Sequence, residues 1–256
     1  MKMRKHKTFL FALVAMCGAC SSHWQLSEVG RTRIVVDSTY DAVDVSEAAA
    51  WLAPYKRQVD SVMSPVVGEI ARYMSARKPE SELSNLLCDI LVWEGRRRGE
   101  QPDLAVYNMG GIRAAFSKGT VTYGDVLAVA PFENKICFLT LTGSKMRELC
   151  SQIASRGGEG VSHGMEMTIS PDGKLLTARL NGDEIRDDRS YRVATLDFLA
   201  QGNDGLLAFR DATDIVSPQD AANNVRFIIM DYFRAFKDQG QAVDSRTEGR
   251  IVVRPW

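Results

Sequence analysis

Histidine is scarce in this chain: three in 256 residues, with His6 and His23 near the start and His163 alone in the remainder. A serine or cysteine triad needs a histidine base, and only His163 is available for one. No Gly-x-Ser-x-Gly elbow, Walker loop or His-Glu-x-x-His pair is present either, so the common hydrolase and nucleotidyl-binding signatures are excluded. Net charge is missing as well. Thirty-two Lys and Arg balance 32 Asp and Glu, so no global field draws the chain to a nucleic-acid polymer or an anionic membrane, and any basic site is local. Cysteine is sparse: beyond Cys17 and Cys20 there are Cys88, Cys137 and Cys150, without metal-ligand spacing, each in an apolar pattern where a thiol behaves as a small buried hydrophobe. Their number and spacing leave one disulfide open. There is no internal repeat or low-complexity segment, and at 45% hydrophobic and 25% charged the composition is that of a globular chain with one large, well-filled domain.

What is present begins with an export pattern. Lys2, Arg4, Lys5 and Lys7 precede the apolar run Phe9 to Met16, which is too short to span a bilayer, and small residues then lead to Cys20. Cys17-Gly18-Ala19-Cys20-Ser21-Ser22 resembles a bacterial lipobox, which implies a signal peptide over 1–19 and lipidation of Cys20. Cys17 stands where an aliphatic residue is commoner, which keeps a plainly secreted product as the alternative. Residues 20–30 then read as lipidated cysteine and tether, and 31–256 as the folded domain.

Along that domain, Arg33 to Val36 is strand-like, Ser46 marks a helix start, and Pro54 is expected to begin a second helical piece carrying Tyr55, Val59, Val62 and Met63 on one side. Leu83, Leu86, Leu87, Ile90 and Leu91 keep helical spacing, with Arg96 to Arg98 as a solvated end. Lys135 to Leu141 is β-rich. Gly143 opens a helix with Met146, Leu149, Cys150 and Ile153 on one face, closed by Gly157-Gly158. Pro171-Asp172-Gly173 and Asn181-Gly182 bracket a hairpin strand. Tyr191 to Thr195 is another strand, Val225 to Phe236 a final amphipathic helix, and Ile251 to Arg254 a last strand. Interspersed helices and strands with hairpin signals predict a mixed α/β (α+β) fold, its mixed sheets covered by helices.

The stretch that organises the chain is Asn108 to Arg113, NMGGIR, directly after the apolar run Leu104 to Tyr107. Gly110 and Gly111 let main-chain N–H groups approach a ligand, and Arg113 offers a planar fork suited to phosphate. Taken alone, the stretch reads first as a strand-to-helix turn with a surface arginine. Its companions change that. PES-L-N at Pro79 to Asn85, APFEN at Ala130 to Asn134, LTG at Leu141 to Gly143 and DFLAQGNDG at Asp197 to Gly205 follow in an order and spacing that resembles the C-terminal domain of the 5′-nucleotidase family, from about Val35 to about Phe236.

The resemblance implies a nucleotide-binding domain. Arg113, and Arg77 eight residues before Asn85, would hold the phosphate. Asn108 would hydrogen-bond the base, Phe132 and Phe198 would sandwich it, and Asp204 would accept from the ribose hydroxyls. The residue types suit these roles: arginine pairs bidentately with phosphate, and aromatic stacking on a base contributes about 1–3 kcal/mol. Met109 and Asn203 each replace a common glycine; a negative φ is expected at Met109, and Asn203 is a residue that tolerates the left-handed region. Leu206 replaces a common aromatic.

In that family catalysis lies in a separate metallophosphatase domain holding two divalent metal ions. Here His163 has no second histidine beside it, so no metal cofactor is expected in this chain. The reading is therefore a nucleotide-recognition domain serving nucleotide catabolism or salvage, exported to the bacterial cell envelope, lipid-anchored at Cys20 and facing periplasm or cell surface. Its partners would be a nucleotide or nucleoside ligand, a separately encoded metallophosphatase subunit that cleaves it, and the membrane through the anchor. The alternative is a stand-alone nucleotide- or nucleoside-binding lipoprotein.

Overall fold

The structure is a computed structural model that describes residues 25–40 and 46–255. The export pattern and Cys20 lie outside the described residues. The chain divides into two units, 1–51 and 52–256.

In the first unit residues 25–36 are irregular and exposed, followed by a single 3₁₀ turn at Ser38–Tyr40. The strand expected at Arg33 to Val36 does not form. Ile34, Val35 and Val36 remain exposed, and among the described residues no strand lies alongside to supply a ladder. Helix α1 (Ser46–Met63) starts at the predicted serine but runs through Pro54 without interruption, correcting the expected break there. The proline removes one N–H from the ladder. Helix formers on both sides, Ala48 to Ala50 before it and the Lys56–Asp60 pair at 2.6 Å after it, carry the helix across that gap.

The second unit carries the core. Strand β1 (Val66–Ile70) is followed by α2 (Glu82–Arg97), whose Ser81 accepts from the Ser84 N–H in a capping box and whose Leu83, Leu86, Leu87, Ile90 and Leu91 are all buried as their spacing requires. Then come β2 (Leu104–Tyr107), β3 (Gly119–Thr122), α3 (Tyr123–Val129), β4 (Ile136–Thr142) and α4 (Gly143–Ser155). Short β5 (Gly160–Val161) precedes β6 (Met165–Ile169), β7 (Leu175–Leu180), β8 (Asp183–Glu184) and β9 (Ser190–Leu196). The chain ends with α5 (Asp197–Ala200), β10 (Thr213–Val216), α6 (Val225–Asp238) and β11 (Ile251–Val253).

Three sheets result. The central one has the order β10-β4-β9-β2-β5, with β2 and β9 parallel and the other pairs antiparallel. A second sheet, β11-β6-β7-β8, contains the predicted hairpins, and Asn181-Gly182 turns with both residues left-handed, at φ 53° and 84°. The third is the antiparallel pair β1-β3. Helix α2 covers β2, β5 and β9, α6 lies on β1, and α4 packs against β4, β9 and β7. Buried Arg250 ties β11 to α2 through a two-pronged pair with Asp89 at 2.9 and 2.7 Å. This is the mixed α/β arrangement expected. It places the ends of β2 and β9, parallel neighbours, at adjacent points, and from those ends leave the two glycine-punctuated loops.

Cys88, Cys137 and Cys150 are buried and free. Burial pushes the Cys137 thiol up to about 11 and the Cys150 thiol up to about 12, so both stay protonated at neutral pH.

Candidate functional site

Where β2 ends, Asn108 begins the first loop. Its main chain leads into a 3₁₀ turn, Met109–Gly111, closed by bonds from Gly111 N–H to Asn108 C=O at 3.0 Å and from Ile112 N–H to Met109 C=O at 3.1 Å. No residue of this loop has a positive φ, as expected at Met109. Gly111 is needed for space: a Cβ there would lie 2.8 Å from Asn108 Oδ1. Met109 is buried, and its N–H donates to Glu159 Oε2 at 2.6 Å.

The second loop leaves β9 through the short α5. Asp197 Oδ1 accepts from the N–H groups of Phe198 and Lys135, at 2.8 and 3.0 Å, which orients the turn carrying Phe198. Gly202, Asp204 and Gly205 are left-handed, at φ 80°, 53° and 73°. The left-handed non-glycine is thus Asp204 and not Asn203, whose amide instead donates to Phe198 C=O at 2.8 Å. A carboxylate held in that region is a strained position, of the kind that collects at ligand sites.

The two loops meet. Asn108 Nδ2 donates to Asp204 Oδ2 at 2.6 Å, across 96 residues of chain. This contact stands at one wall of a cavity of about 290 Å³ lined by Asn108, Gly110, Gly111, Phe132, Asn134, Arg156, Phe198 and Asp204. Phe132 is 49% exposed, while Phe198 rests partly buried against the core. Asn108 Oδ1 is buried, with no hydrogen-bond partner among the described residues.

Two predicted residues stand outside this lining. Arg113 is exposed, with Nη1 3.3 Å from Gly110 C=O. Arg77 is also exposed and makes a two-pronged pair with Glu82, both bonds at 3.0 Å. Three contributors went unread in the sequence. Asn134 lies inside the APFEN motif without an assigned role. Arg156 and Glu159 fall in what reads as a helix end closed by two glycines; the signal available was an opposite charge pair three apart, flanking Gly157-Gly158. Gly158 allows it, since at φ 105° a Cβ would stand 2.4 Å from Pro79 C=O.

A broader groove of about 720 Å³ runs along the end of α2 past Trp93, Arg96, Arg97 and His163. Its charges are largely paired already: Asp89 with Arg250, Asp103 with Arg189 and Arg97 with Glu94. None of the predicted site residues lines it, so the smaller cavity is the candidate. His163 is exposed there, its Nδ1 2.9 Å from Glu248 Oε2. Among the described residues no group of three or more His, Cys, Asp or Glu could hold a metal ion.

The sequence matches the profile of the 5′-nucleotidase, C-terminal domain, over residues 65–211, more than half of the chain and all of the cavity. Endonuclease YhcR of Bacillus subtilis (strain 168) is 31% identical over 233 residues, covering 86% of this chain and 18% of that protein. The trifunctional nucleotide phosphoesterase protein YfkN of the same organism is 28% identical over 225 residues, covering 80% of this chain and 15% of its own length. The crystal structure of the 5′-nucleotidase precursor from Thermus thermophilus superposes with a TM-score of 0.70 at 25% identity, covering 81% of this chain and 43% of that one. This chain spans less than half the length of each of these relatives. The motif order, the mixed α/β architecture and the profile match agree, and the chain belongs to the 5′-nucleotidase C-terminal domain family.

Proposed function

We propose that this chain is the nucleotide-recognition part of a 5′-nucleotidase-type phosphohydrolase. The observation that carries the reading is the convergence of Phe132, Phe198, Asn108 and Asp204, from three stretches of sequence, on one cavity sized for a base and sugar. Phe132 and Phe198 supply stacking faces, the Asn108 amide a hydrogen-bonding edge, and the Asp204 carboxylate an acceptor for a diol. Arg113 and Arg77, outside the lining, are assigned to the phosphate. The chain's contribution to hydrolysis is positioning: holding the reacting group in line removes much of the entropic barrier. The two divalent metals and activated water are assigned to a separately encoded metallophosphatase subunit, and lipidation at Cys20 to anchoring in the cell envelope. Mixing the purified chain with such a subunit should raise phosphate release from nucleoside monophosphates; no gain over the subunit alone defeats the split-enzyme reading.

A second reading, a binding lipoprotein without a catalytic role, is favoured by one feature: the Asn108–Asp204 contact assembles the wall within this chain alone. Tight nucleotide binding by the isolated chain in titration calorimetry, with no rate gain in the mixture, selects it.

A further inference from the structure

Arg156 has no part in the reading above, yet it lines the cavity. It caps the C-terminus of α4, and the turn that follows brings Glu159 back beneath it. The Glu159 side chain is completely buried and accepts from Arg156 Nε at 2.6 Å, from the Met109 N–H at 2.6 Å and from Lys78 Nζ at 3.2 Å. One edge of the guanidinium is therefore held in place, on the same carboxylate that holds the NMGGIR loop. The other edge is not: among the described residues neither Nη has a hydrogen-bond partner, and Nη1 lies 3.8 Å from where a Cβ on Gly205 would stand, next to Asp204.

A guanidinium donates and never accepts. In a wall it selects ligand atoms that accept, whereas an amide such as that of Asn134 offers both a donor and an acceptor. A base stacked between Phe132 and Phe198 presents its polar edge to this wall. Guanine-type purines carry two adjacent acceptors, O6 and N7, that match the arginine fork, while adenine sets an amino donor at position 6 against it. We propose that Arg156, aimed by Glu159, is a specificity-determining residue of the cavity, and that the cavity prefers nucleotides of 6-oxopurines, guanine and hypoxanthine, over the adenine nucleotide. Glu159 is a positioning residue. This rests on the nucleotide reading of the site given above.

Titration calorimetry of the purified chain with GMP, IMP and AMP tests it. The wild type is expected to bind GMP and IMP about 5- to 150-fold more tightly than AMP, the range for one matched two-pronged contact. Arg156→Met keeps the apolar stem and removes the donors, and should bring the ratio close to one with AMP affinity little changed. Arg156→Lys should not restore it, because a point charge lacks the fork. Glu159→Gln should lower the ratio without abolishing stacking. Equal affinities in the wild type, a ratio that survives Arg156→Met, or an equal loss for all three ligands in that variant overturns the proposal. Binding of AMP that is lost in Phe132→Ala but is no weaker than that of GMP sinks this preference alone. Failure of the wild type to bind any of the three sinks the nucleotide reading with it.

Discussion

The two loops that form the cavity wall are built in opposite ways. Residues 108–113 keep negative φ throughout and are pinned from outside, with the Met109 N–H on a buried glutamate that also holds Arg156 and Lys78. Residues 202–205 hold their shape from within, through three left-handed residues and an asparagine bonded back to Phe198. The first loop thus depends on a distant residue, Glu159, whereas the second depends on its own backbone. They are joined by the hydrogen bond from Asn108 to Asp204.

That contrast predicts unequal sensitivity. Glu159→Ala should have the largest effect, because it strands the buried Met109 N–H and removes the carboxylate partner of Arg156 and Lys78, although Lys78 keeps its bond to Arg156 C=O at 2.6 Å. We expect a loss of about 2–4 kcal/mol in urea unfolding, less than for a fully buried pair because the Arg156 and Lys78 side chains remain 32% and 40% exposed. A loss below about 1 kcal/mol would mean the first loop holds itself. Gly111→Ala comes next: its methyl group would displace the Asn108 amide, at an expected cost of about 1–3 kcal/mol and with weakened ligand binding. Nucleotide affinity that survives this change would separate Asn108 from the ligand.

Phe132→Ala removes a half-exposed ring. Stability should move by less than about 0.5 kcal/mol while calorimetric binding of a nucleotide weakens by about 1–3 kcal/mol. Asp204→Asn retains a residue that tolerates the left-handed region and an oxygen for the Asn108 amide. Unfolding should therefore be unchanged within about 0.5 kcal/mol, with the loss confined to ligands bearing a free diol. Equal losses for a ribonucleotide and its deoxy counterpart would remove the diol role. Smallest is Arg77→Ala, where an exposed pair with Glu82 is given up at about 0–1 kcal/mol of stability. Any effect on affinity should then appear only with ligands carrying a phosphate.

Much of the second unit was legible because its signals are local. The i, i+3, i+4 spacing of Leu83 to Leu91 and of Met146 to Ile153 put helices where they stand, and Asn181-Gly182 could only turn in one way. Where the expectation failed, a partner decided. Arg33 to Val36 has strand propensity but no neighbouring strand among the described residues, and Pro54 sits inside a helix whose flanks outweigh one missing bond. In the second loop the left-handed non-glycine is Asp204, while the Asn203 amide is bonded to Phe198 C=O.

By itself, then, the sequence determined the periodic elements, the hairpins and the family, because backbone preferences and ordered motifs act over short stretches of chain. It also supplied Phe132, Phe198 and Asp204 as candidate site residues. Only the tertiary structure decided which side chains share a wall. Six of the predicted residues came together on one cavity; Arg77 and Arg113 were left at the surface. The Arg156–Glu159 pair entered from a stretch that reads as a helix end. A buried carboxylate must find donors wherever the packing brings them, and for Glu159 these came from the first loop 50 residues away, from Arg156 beside it and from Lys78 81 residues away.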